Sequence, residues 1–232
     1  MHPIQMMIQG DPATISKFSK PILELMIDTM SVFSLVKEVE YERHTARRVP
    51  LRDTFFDPAL VYSPGKLDEF LVGLATQPRQ KYDNIITEEV TNHLFQAKNM
   101  SFGMDLVALN IQRGRDHGLP GYNAFRELCG LKRMETFDGF VDLIPKPIVE
   151  RLKLIYRDVE DVDLFIGGIA ESSLPGLILG PVLRCLVGDQ FKRTLAGDRF
   201  WYDSGDSPAS FSETQLAEVR RVLEYIGYIL NI

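Results

Sequence analysis

The densest run of residues able to do chemistry is Asn110 to His117, reading NIQRGRDH, which sets two amides, two guanidiniums, a carboxylate and an imidazole close together. Arg113, Arg115, Asp116 and His117 suggest acid–base catalysis. Adjacent helical residues diverge by about 100 degrees, however, so Asp116 cannot orient His117, and no serine or cysteine is placed for either to activate. Gly118 and Pro120 mark a helix end, where a histidine commonly satisfies terminal carbonyls, so His117 reads as structural. The other histidines, His2, His44 and His93, share no ligand spacing with one another or with nearby carboxylates, and no zinc site is expected. A P-loop, a dinucleotide fingerprint and a serine nucleophile elbow are all missing from the sequence. Asn110 stands apart. Leu106, Leu109, Asn110 and Arg113 recur at i, i+3, i+4 and i+7, so one helix face carries two apolar side chains, an amide and a guanidinium. With Val107, Ala108 and Ile111 covering the rest, the helix is expected to be central and Asn110 buried, its hydrogen bonds met by a neighbouring loop or by some more specific partner.

The elements that must position this helix are themselves mostly helical. From Pro147 onward Ile148, Val149, Leu152, Ile155 and Tyr156 fall at helical spacing, with Glu150, Arg151, Lys153 and Arg157 opposite. Gly180 and Pro181 open another helix, with Val182, Leu183, Leu186, Val187, Phe191 and Leu195 as its apolar face until Gly197 stops it. Ser212 and Gln215 form a capping box that starts a last helix at Glu213. An earlier segment carries a Met-rich helical pattern through Ile22, Leu23, Leu25, Met26, Met30 and Phe33. No stretch alternates long enough to predict a strand. Residues 42–66 hold Pro50, Pro58, Pro64 and Gly65, and their Phe55 and Phe56 need burial although no period organises them. The fold class is therefore mainly α with long irregular loops.

Composition narrows the function classes. The chain has 232 residues, 45% hydrophobic and 25% charged, the balance of a globular protein that can bury a real core. A formal net charge of −6 leaves no basic surplus for a phosphate backbone, and nucleic acid is not an expected partner. No run approaches the roughly 18 to 20 apolar residues of a membrane span, and Met1 to Pro12 has neither the basic start nor the apolar run of a signal peptide. Two cysteines, Cys129 and Cys185, are one disulfide or two buried thiols.

The run DLVALNIQRGRDHGLPGYNAFRELCGL, Asp105 to Leu131, closely resembles the signature of the animal haem peroxidase family. The likeness continues through VPLRDTFFDPALVYSPGKLDEFLVGL, ITEEVTNHLF, DVDLFIGGIAESSLPGLILGP and CLVGDQFKRTLAGDRFWYD. It implies the C-terminal portion of that family's helical domain over residues 35–221, flanked by a divergent N-terminal segment, 1–34, and a divergent tail, 222–232. The family oxidises donors with hydrogen peroxide at a haem held by a proximal histidine, so haem b is the implied cofactor, with peroxide and a small electron donor as partners. Asn110 resembles the family asparagine that accepts a hydrogen bond from the axial imidazole, fixing its tautomer and raising its basicity. Leu106, Leu109 and Arg113 then line the same face beside the haem, and Phe55 and Phe56 resemble aromatics that pack below it.

The resemblance also implies absences. The axial histidine belongs to an FGH-type motif a few dozen residues before VPLRDTFF, where this chain reads ISKFSKPILELMIDTM. The distal histidine and arginine belong to a portion this chain does not match, so no catalytic residue is assigned and the chain is expected to be an inactive fragment on its own. His44, in the charged run ERHTARR, is not expected to replace the ligand. The alternative is a non-catalytic peroxidase-like module for binding or adhesion. The resemblance further pairs Cys129 with Cys185 and implies an extracellular, oxidising setting and a role in oxidative stress, which fits the glycosylation acceptor Asn99, Met100, Ser101.

Overall fold

The structure is a computed structural model that describes residues 38–41, 47–76, 82–175, 177–202, 204–205 and 210–230. The N-terminal segment 1–34 with its Met-rich pattern, and His44, lie outside the described residues. Eight helices dominate those described: α1 Lys66–Thr76, α2 Glu88–Thr91, α3 Leu106–Asp116, α4 Tyr122–Leu128, α5 Lys146–Ile155, α6 Leu164–Ala170, α7 Pro181–Gly197 and α8 Glu213–Leu230. Short 3-10 turns at Leu51–Thr54, Pro58–Tyr62, Phe137–Asp142 and Val159–Asp161 fill the long loops. The mainly α expectation holds. One correction is a short antiparallel pair, β1 Glu38–Tyr41 with β2 Arg47–Pro50, in which Val39 faces Val49 across the ladder. Strands of this length are too short to display an alternating period, and that is why the sequence hid them.

Helix boundaries follow local chemistry. Pro181 opens α7 behind Gly180, where a missing N–H costs nothing. Gln215 N donates to Ser212 Oγ at 3.3 Å and Ser212 N to Gln215 Oε1 at 2.8 Å, closing the expected capping box ahead of α8. Burial departs from periodicity at two places. Val149 and Leu152 of α5 are buried but Ile155 is exposed, and the outer half of α7 turns Phe191 and Leu195 to the surface. The main core gathers Tyr122, Phe125, Phe140, Val162, Ile169 and Val182 from α4, the turns and α6–α7. A second, smaller cluster forms around Val90 and Leu94.

α4 is buried nearly all round, and its polar residues are the frame of the main core. Arg126, with no exposed surface, donates from Nε to Lys132 O at 3.0 Å, from Nη1 to Tyr122 Oη at 3.3 Å, and from Nη2 to Asp142 Oδ2 at 2.6 Å. Asn123 accepts from Met134 N at 2.8 Å and donates to Met134 O at 2.7 Å and Glu160 Oε1 at 2.6 Å. Tyr122 Oη passes the chain on to Glu171, donating to Oε1 at 2.7 Å, while Val182 N donates to Oε2 at 2.9 Å. The Tyr122 ring fits because position 167 is glycine; a Cβ there would lie 2.2 Å from the ring. Cys129, the C-cap of α4, is disulfide-bonded to Cys185 of α7 with Cα atoms 6.0 Å apart, in agreement with the pairing the resemblance implied.

Two outcomes follow. The disulfide closes a loop with a sequence separation of 56, worth about 4 kcal/mol in the chain-entropy account. Replacing both Cys129 and Cys185 with serine should therefore lower Tm by roughly 5 to 15 °C in calorimetry. Burial pushes the Glu171 carboxyl from 4.5 up to about 7, with hydrogen bonds from Tyr122 and Val182 only partly opposing. The folded state thus holds this proton more tightly than the unfolded chain, so its stabilising contribution is complete below about pH 4.5 and is lost as pH rises through about 7. Urea midpoints across that window should show the loss, and Glu171→Gln should flatten it.

Candidate functional site

The site is built on α3. Asp105 caps it, its carboxylate accepting from Val107 N at 2.8 Å and Ala108 N at 3.2 Å, and so sits one residue before the first turn rather than in it. At the other end the backbone N–H of His117 bonds Arg113 O at 2.9 Å, and Gly118 turns the chain with φ +66°, a left-handed conformation glycine adopts without strain. The backbone of His117 rather than its ring closes the helix, and its side chain is exposed.

Between these ends α3 is wedged between the two apolar clusters. Val107 and Ile111 pack against the main core, while Leu106 and Leu109 join Phe55 around Val90 and Leu94. Three residues expected at a haem wall, Leu106, Leu109 and Phe55, are thereby brought to one place. Asn110 lies between, 1% exposed, and its Oδ1 accepts no hydrogen bond from the described residues. It does not cap a neighbouring loop. The contrast with Asn123, whose oxygen and nitrogen are both engaged, is sharp, because an unmet buried acceptor costs roughly 1 to 3 kcal/mol. Arg113 is exposed one turn further on.

Phe56 departs from the expectation of burial and is 76% exposed. It and Phe95 both take left-handed backbone conformations, φ 59° and 53°, which bulky residues rarely adopt. Their rings meet at a tilt of 44° with centroids 5.3 Å apart, and Phe55 meets Phe95 edge-on at 5.6 Å. The result is an open aromatic shelf beside the Leu106 and Leu109 cluster.

Two polar assemblies brace this region, and spacing could not have found either because their members are far apart in sequence. Arg52 donates from its backbone N to Glu89 Oε2 at 2.8 Å and from Nε to Oε1 at 3.0 Å. Burial pushes the Glu89 carboxyl up, but the Arg52 hydrogen bonds and charge prevail and hold it below the usual carboxylate range. Arg52 Nη1 also donates to His93 Nε2 at 2.9 Å, which leaves Nδ1–H to donate to Gln96 Oε1 at 2.6 Å. On the far side of α3, Arg115 grips Asp163 with two hydrogen bonds, 2.9 and 2.7 Å, and Tyr156 Oη donates to the same carboxylate at 2.7 Å. Arg115, which looked catalytic in the sequence, ties α3 to the start of α6. Among the described residues, no His, Cys, Asp and Glu group could hold a metal ion, and no helix is long and apolar enough to cross a membrane.

Known proteins place this arrangement. The chain is 41% identical over 179 residues to a peroxidase of Drosophila melanogaster, an alignment covering 77% of this chain and 26% of that protein. It is 36% identical over 214 residues to the thyroid peroxidase of Sus scrofa, covering 91% and 23%. It therefore spans about a quarter of the length of these relatives. Peroxidase A of Dictyostelium discoideum shares the fold with a TM-score of 0.65 at 31% identity, over 77% of this chain and 34% of that one. The family model described as animal haem peroxidase matches residues 7–225, and with most of its length matched, the chain belongs to the animal haem peroxidase family.

Proposed function

We propose that the chain forms the proximal wall of a haem site and serves hydrogen-peroxide-dependent oxidation when completed by the upstream half of the domain. The observation that carries this reading is the buried, unpartnered Oδ1 of Asn110. Such an acceptor calls for a donor from outside its own helix, and the N–H of an iron-bound imidazole is one. When bound, haem b supplies the redox chemistry by which peroxide oxidises a donor. The protein's part is placement. Asn110 would fix the imidazole tautomer and raise its basicity, Leu106, Leu109, Phe55 and Phe56 would offer apolar and aromatic cover, and Arg113 lies one turn further along the same helix.

The residues that split peroxide, a distal histidine and arginine, and the axial histidine are not among those the chain matches, so by itself it is inactive. The setting is extracellular. The Cys129–Cys185 bond is of a kind that persists in oxidising compartments, and Asn99 lies exposed in a turn, open to glycosylation.

Two measurements test the reading. Titrating the protein with haem in the presence of imidazole should shift the Soret band saturably relative to haem and imidazole alone, with about tenfold weaker affinity for Asn110→Leu, the scale of one lost hydrogen bond. No peroxide-dependent oxidation of a phenolic donor should accompany it. A spectrum identical to that of haem and imidazole without protein defeats the haem reading, and turnover defeats the claim of inactivity. Without haem the same Asn110→Leu change should raise the unfolding free energy by on the order of 1 kcal/mol in urea titrations, because it deletes an unsatisfied buried acceptor.

A further inference from the structure

Two links of different kinds cross the seam between α4 and the first turn of α7, and they meet at one residue. Val182, with no exposed surface, donates its N–H to Glu171 Oε2 at 2.9 Å, while its carbonyl oxygen lies 3.9 Å from Sγ of Cys129. Cys129 is bonded to Cys185, one turn further along α7 and itself only 7% exposed. From the α4 side the other oxygen of Glu171 takes the Tyr122 hydroxyl at 2.7 Å. The seam beside the disulfide is thus closed by a carboxyl from the end of α6, a third element.

That carboxyl is poorly provided for as an anion. The ionisable groups around it are Tyr122 and Arg126 of α4, Asp142 of the 3-10 turn and Tyr82 ahead of α2, while α7 presents a backbone N–H. Arg126 is the only cation among these groups, and its Nη1 and Nη2 already grip Asp142 at 3.2 and 2.6 Å. An ionised Glu171 therefore has no counter-charge of its own. Water cannot replace one without movement. A Cβ at Gly180 would lie 2.3 Å from the Cβ of Glu171, so the entry to α7 closes directly on this side chain. Burial accordingly keeps the proton on up to about 7, against 4.5 in water. A seam opened to solvent releases the proton from about pH 4.5 upward, so the closed form is fully favoured below that value and loses ground as pH rises to about 7.

We propose that Glu171 is a pH-sensitive latch over the Cys129–Cys185 disulfide: when it ionises, the first turn of α7 parts from α4 to admit water, and the sulfurs open to a reductant. In acid surroundings the crosslink is shielded, and in neutral ones it is reducible without unfolding of the main core. The proposal concerns a local opening, beyond the effect of Glu171 on overall stability, and it is independent of the haem reading.

The test is the rate at which tris(2-carboxyethyl)phosphine reduces the unaltered chain. The phosphine lone pair attacks one sulfur and breaks the S–S bond, the departing thiolate takes a proton, and water releases the second thiol and leaves the phosphine oxide. Divided by the rate for oxidised glutathione under the same conditions, the rate should rise about tenfold or more from pH 5 to pH 7.5, and less than about twofold in Glu171→Gln. A rate that follows glutathione at both pH values, or the same rise in the variant, overturns the latch. Hydrogen exchange on the unaltered chain decides the matter even if the variant folds poorly. After correction for the intrinsic exchange rate, protection of the Val182 amide should fall about tenfold across the same interval and stay below that of core amides such as Leu152 in α5. Unchanged protection at Val182, or protection equal to that of Leu152 at pH 7.5, shows that no local opening exists and overturns the proposal.

Discussion

A guanidinium without solvent must find its partners inside the protein, and Arg126 finds them in three places at once. Removing one partner from a buried charge costs about 3 to 5 kcal/mol, far more than a surface pair is worth. The backbone at Lys132, the 3-10 turn that carries Asp142 and the hydroxyl of Tyr122 are thus held to Arg126 within hydrogen-bond distance. Rings of Tyr122 and Phe140 flank the same charge, each with its centroid 5.8 Å from it. Through Tyr122 the constraint reaches Glu171 and the first turn of α7, so the loops, α4 and α7 are placed by one connected polar chain rather than by apolar contact alone.

With that frame fixed, α3 has little freedom. One flank is held to the main core by Val107 and Ile111 and to α6 through the Arg115 fork on Asp163; the other meets the Val90 and Leu94 cluster braced by Arg52 and Glu89. An asparagine held this firmly cannot swing to find a partner, and an unmet Oδ1 can persist only because the surroundings outweigh its cost. The two assemblies thus explain how a destabilising atom is kept in place. The energy that stabilises the frame also offsets the cost of that unmet acceptor.

Much of this was legible in the sequence where the information is local. Pro181 and Gly197 mark the ends of α7, Ser212 and Gln215 cap α8, and the i, i+3, i+4 pattern of Leu106, Leu109 and Asn110 placed the site on one face. The roles of Arg126, Asn123 and Glu171 were not legible, because a polar residue's spacing reports which face it occupies but not that distant loops will close over that face. Phe56 failed for the complementary reason. Its apolar side chain suggested burial, whereas a left-handed backbone paired with Phe95 turns the ring outward. Arg115 looked like part of a catalytic array until its partner, Asp163, emerged from a segment 48 positions away.

The Cys129–Cys185 bond has one more consequence. The loop it closes contains Asp142, Tyr156, Asp163 and Glu171, that is, most of the partners of α3 and α4. A protease that cut any single peptide bond inside that loop would leave both pieces in one covalent molecule. Their buried hydrogen bonds would still hold them in register, and the cut would surface only once the sulfurs were reduced.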